Sequence, residues 1–124
     1  MRGASAIQSA LSLAHNPHLK VFIVWEPMLP TDWGPPSTAT LARVNDARAA
    51  QFWDRGHELS KSLGGPEHAP KGSRVDKIQF EMGRYIWDFV AIYPPGSETP
   101  SFTGAPIVSV VSDVHEEVAR LARD

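Results

Sequence analysis

Two short stretches hold most of the residues able to do chemistry. VFIVWEPMLPTDW, residues 21–33, carries Trp25, Glu26, Asp32 and Trp33; QFWDRGHELSKSL, residues 51–63, carries Trp53, Asp54 and His57. Glu26, Asp32, Asp54 and His57 are the candidate catalytic residues. Carboxylates with one imidazole form a donor set that suits a divalent cation such as Mn, Fe or Zn. Asp32, Asp54 and His57 are the candidate ligands, and a divalent metal is the cofactor this reading implies. Without a metal, a pair of carboxylates can hydrolyse by general acid–base chemistry, as in glycosidases. Trp25, Trp33, Trp53 and Arg84 are the candidate binding residues. A purely structural account competes. In it Asp32 caps a turn, Glu26 and Asp54 pair with Arg43, Arg48 or Arg55, and the tryptophans cover one end of the core while their indole N–H groups tie down the loop.

The elements that must position these groups follow from hydrophobic spacing. Ile7, Ala10, Leu11 and Ala14 recur at helical intervals, so residues 4–14 are expected to be a helix stopped by Asn16-Pro17. Residues 19–25 form an unbroken apolar run, which suits a central strand covered on both faces. Residues 26–36 contain four prolines and read as a stiff loop. Ser37 is placed to cap a helix running to about Ala49. A short strand at residues 50–53 and a short helix at 57–63 follow, and the polar segment 64–76 reads as a loop. Residues 86–93 and 107–111 read as strands, the second at a sheet edge, and Asp113 as the cap of a last helix ending at Arg123. The order is α–β–α–β–α–β–β–α over one domain, 1–124. Alternation in the first half implies parallel strands, and the closing pair is expected to be antiparallel. If residues 50–53 run parallel to 19–25, then Glu26, Asp32, Trp33, Asp54 and His57 are expected to share one rim at the carboxyl ends of both strands, where open α/β sheets bind ligands.

Composition excludes several classes. The 124 residues carry a net charge of −2, 42% hydrophobic and 21% charged residues, and no cysteine. The 12 basic residues are scattered, so neither a nucleic-acid footprint nor a polybasic membrane anchor is drawn. No apolar run approaches a membrane span, and no signal peptide is read at the N-terminus. The expectations are no nucleic acid, no membrane and a cytoplasmic location. Without cysteine there is no disulfide, thiolate metal site or sulfur nucleophile. No glycine-rich phosphate loop, G-x-S-x-G elbow or H-E-x-x-H helix occurs. His15 and His18 flank a turn, His68 lies in the polar loop, and His115 is expected on the exposed first turn of the last helix.

This element order, with VFIVWEPMLPTDW, QFWDRGHELSKSL and the closing IWDFVAIYPPG…APIVSVVSDVHEEVARL, resembles the thioredoxin-like superfamily, especially its peroxiredoxin-like and TlpA-like members. The resemblance implies an α/β fold: a mixed sheet with flanking helices, here with the first strand missing. It also implies a reactive cysteine at the start of the first helix and a cis-proline before the antiparallel pair. Met1-Arg2-Gly3 and Gly83-Arg84-Tyr85-Ile86 stand in those places, so the family's thiol chemistry is not carried over.

Three functions are expected to compete. The first is a non-redox thioredoxin-like domain that acts through binding, or a piece of a longer redox protein whose cysteine-bearing strand lies upstream. The second is a small enzyme using the carboxylate and histidine rim, including metal-dependent hydrolysis. The third is an obligate oligomer. The missing strand would leave residues 19–25 and 86–93 with unpaired edges, so the expected partner is a second copy in a homodimer. Direct pairing of those two strands is the alternative.

Overall fold

The computed structural model describes residues 2–27, 34–63 and 88–123. The elements are helix α1 (Arg2–Leu13), strand β1 (Val21–Trp25), helix α2 (Thr38–Leu41), strand β2 (Ala49–Trp53), helix α3 (Glu58–Leu63), strands β3 (Val90–Ile92) and β4 (Phe102–Gly104), and helix α4 (Ile107–Arg123). Among the described residues the fold is α/β, with a parallel pair and an antiparallel pair.

β1 and β2 pair in parallel, from Val21 opposite Ala49 to Trp25 opposite Trp53. Alternation sends Val21, Ile23 and Trp25 to one face, where Ile23 joins Ala4, Leu11 and Val44 in the core. The apolar stripe of α1 supplies that cover. The other face carries Phe22, 69% exposed, and Phe52, 52% exposed, with ring centroids 6.2 Å apart. The expected cover on both faces of residues 19–25 is therefore corrected. Among the described residues β1 pairs with β2 alone, and Phe22 stands in solvent.

β3 and β4 pair antiparallel, with Val90 opposite Gly104 and Ile92 opposite Phe102, as a separate sheet. Direct pairing of residues 19–25 with 86–93 does not occur among the described residues.

The second correction concerns residues 107–111. They open α4 instead of forming an edge strand, and the last strand is β4. The β-branched run IVSVV favours a strand by local propensity. However, Ile107, Val110, Val114, Val118 and Leu121 recur at helical spacing, and Ile107, Val110 and Val114 are buried while Val108 and Ser109 face outward. Burying that stripe outweighs propensity, which is worth only tenths of a kcal/mol per residue. Asp113 thus lies inside α4, not at its cap. The peptide preceding the helix, Ala105–Pro106, is cis.

Ser37 caps α2 as expected, its hydroxyl accepting the Thr40 N–H at 3.2 Å. The helix ends at Leu41, well short of Ala49. The carbonyls of Leu41 and Val44 accept the Gln51 amide at 2.9 and 3.4 Å, and Asp46 accepts the Arg48 N–H in a local turn. The Arg48 guanidinium then reaches back to α1. It donates to the carbonyls of Leu11 at 2.7 Å, Ala14 at 2.5 Å and Asn16 at 3.1 Å while paired with Asp46 at 2.7 Å. These carbonyls lie at and just past the C-terminus of α1, where a cation is favoured. Arg48 therefore serves α1, not Glu26 or Asp54. In return its hydrogen bonds hold the Asp46 carboxyl down at about 2.

α4 is tied to the loop before β4 by Glu117. Its carboxylate accepts Arg120 Nε at 2.9 Å, Arg120 Nη2 at 2.7 Å and the Ser101 hydroxyl at 2.6 Å. Arg120 first, and Ser101 after it, lower the Glu117 pKa from 4.5 to about 2 against the opposing effect of burial. A depressed folded-state pKa means the contribution is complete above the unfolded value and lost as pH falls through the folded one. Glu117→Gln should therefore lower the urea midpoint at pH 6, with the gap to wild type closing between about pH 4.5 and 2. A gap that stays constant across that window would refute this role.

Candidate functional site

Glu26 and Asp54 are the residues immediately after β1 and β2. The ladder continues one step past the strands, because the Asp54 N–H donates to the Trp25 carbonyl at 2.8 Å. The parallel register therefore delivers both carboxyl groups to the same end of the sheet. Asp54 then organises the start of α3: its Oδ2 accepts the Leu59 N–H at 2.8 Å. That bond, helped by the Glu58 N–H, the Glu26 carboxyl and His57, holds the Asp54 carboxyl below the usual range, while burial works the other way. His57 sits at the turn into α3 with φ +55°, a conformation uncommon outside glycine.

His57 Nδ1 lies 3.4 Å from Glu26 Oε2, with side chains 13% and 8% exposed respectively. Of the five residues expected on one rim, Glu26, Asp54 and His57 come together. Asp32, Trp33 and Arg84 lie outside the described residues.

Ser60 is the member that sequence reasoning missed. It is 4% exposed. Its N–H donates to Glu26 Oε1 at 3.2 Å, and its hydroxyl donates to Glu26 Oε2 in a short hydrogen bond. The available signal was spacing. Three residues after His57 at the opening of a helix, Ser60 falls on the same side of the turn.

This order of contacts decides what the cluster can do. In a nucleophilic relay the imidazole lies between hydroxyl and carboxylate. Here the Glu26 carboxylate lies between the Ser60 hydroxyl and the His57 ring, so the serine is not placed for activation by the histidine. What remains is a sheltered carboxylate–imidazole pair beside a second carboxylate, a set suited to proton transfer. Among the described residues no group of three or more His, Asp or Glu side chains is arranged to hold a metal ion.

The tryptophans divide. Trp25 packs against the core cluster, and its indole N–H donates to Gln51 Oε1 at 3.0 Å. Trp53, its register partner, is half-buried. Trp25 thus ties β1 to β2 and, through Gln51, to the end of α2. Among the described residues no helix is long and apolar enough to cross a membrane. Comparisons of the chain with protein-family models, with curated proteins and with solved structures each returned no match.

Proposed function

We propose that the chain is a non-redox binding domain of thioredoxin-like architecture that associates with a second copy of itself through the outer face of β1 and β2. The observation that carries this reading is the Phe22–Phe52 pair. Two adjacent aromatic rings, 69% and 52% exposed, stand on strands whose neighbours Val24 and Ala50 continue the apolar surface. Contiguous exposed apolar surface of this kind marks interaction sites, and a two-fold axis is the commonest way to cover it. The thioredoxin-like architecture is supported by the element order and by a parallel pair followed by an antiparallel pair and a closing helix.

Sedimentation velocity at micromolar concentration tests the association. Wild type is expected to run as a dimer, and Phe22→Glu with Phe52→Glu as a folded monomer with unchanged circular dichroism. A monomeric wild type would sink the reading.

A second reading is favoured by the meeting of Glu26, Asp54 and His57 at the carboxyl ends of parallel strands, the usual ligand side of such sheets. In it the cluster performs acid–base hydrolysis, with Asp32 and a divalent metal as further participants.

A further inference from the structure

We propose that the cleft between the C-terminal halves of α1 and α4 binds a small organic acid: one carboxylate on a short apolar body. The site is separate from the sheet face and from the Glu26 cluster. α1 and α4 lie side by side with their N-termini together, since a Cβ on Gly3 would stand 3.5 Å from Ile107 Cγ2. Towards their other ends a half-open cleft of about 360 Å³ lies between them, at the lower end of the range for small-molecule sites. Leu13, Val118, Ala119 and Ala122 give it apolar walls, and the polar groups on it are His15, Asn16 and His115.

The chemistry of those three groups selects the ligand. Asn16 turns its amide oxygen to the His18 N–H at 2.9 Å, and its NH2 group is a donor. His115 is half-buried in mid-helix, contrary to the exposed first-turn position read from the sequence. Its Nδ1 is buried with no hydrogen-bond partner, an exception among buried polar atoms, so any hydrogen bond to a ligand falls to Nε2. His15, exposed at the rim, adds a second imidazole.

A cationic ligand would seek the carbonyls at the end of α1, but Arg48 already takes those of Leu11, Ala14 and Asn16. The donors are thus available and the nearest acceptors are occupied. A carboxylate is the strongest common acceptor, and the apolar walls call for a hydrocarbon body.

Octanoate and octanol are the probes, titrated into the ¹⁵N-labelled full chain at pH 7. Octanoate is expected to give saturable shifts at Ala119, Ala122 and the His115 ring, and to bind about tenfold more tightly than octanol. His115→Leu should remove that preference, bringing octanoate to the octanol level. Ala119→Trp should abolish binding of both, with the circular dichroism spectrum retained. The proposal is overturned if octanol binds as tightly as octanoate, if the shifts gather on Phe22 and Phe52, or if His115→Leu keeps the preference. The His115→Leu comparison decides the matter even where Ala119→Trp fails to fold.

Discussion

Replacing Glu26 by alanine should lower the free energy of unfolding by about 2–4 kcal/mol. The side chain is 8% exposed and accepts from the Ser60 N–H and the Ser60 hydroxyl, with His57 Nδ1 beside it. Alanine would remove the acceptor that the Ser60 hydroxyl and N–H share at the first turn of α3, and losing a buried acceptor costs more than the bond was worth. Glu26→Gln keeps a carbonyl oxygen in place and should lose less than half as much. Urea denaturation of both variants reads the difference. The competing enzymatic reading adds a forecast of its own: Glu26→Gln, still folded, loses a hydrolytic activity that wild type displays.

Leu11→Ala should cost about 2–4 kcal/mol, a fall in the thermal midpoint of roughly 10 °C. Leu11 is 4% exposed and meets Ala4, Ile23 and Val44 where α1 crosses the parallel strands. The neighbours on β1 are held by their ladder, so the cavity cannot close by simple collapse. Leu13 lies two positions along the same helix and is 59% exposed. Leu13→Ala should stay within about 0.5 kcal/mol of wild type. A loss below about 1 kcal/mol for Leu11→Ala, or similar losses at both positions, would show that α1 is not packed on this face.

Much of this arrangement was legible in the sequence because it is local. The apolar run at residues 21–25, the Ser37 cap and the placement of Glu26 and Asp54 one residue past their strands all depend on neighbours within a few positions. The misreadings share a different cause. Residues 107–111 look like a strand until the stripe is followed to Leu121, so the window was too short for the period. The helix from Ser37 is shorter than its spacing predicts because Gln51, ten residues beyond Leu41, takes carbonyls that a longer helix would use. Ser60 was overlooked because its partner is 34 residues away. A helix capped by Asp113 puts His115 in an exposed first turn, whereas the helix that starts at Ile107 puts it in mid-helix. An unbroken apolar run is the mark of a strand buried on both faces, and it does not reveal the exposure of Phe22.

The Arg48 bridge has a consequence for how the molecule comes apart. A helix of 12 residues is marginal on its own in water, and carbonyls at the end of α1 are bonded by a guanidinium 32 to 37 residues later in the chain. That guanidinium is in place only when the Asp46 turn is formed, and the same residue's carbonyl accepts the Val21 N–H that begins β1. Fraying at the end of α1, at the Asp46 turn and at the first rung of the β1–β2 ladder is therefore not three independent events. They form one cooperative unit, which opens and closes as a whole.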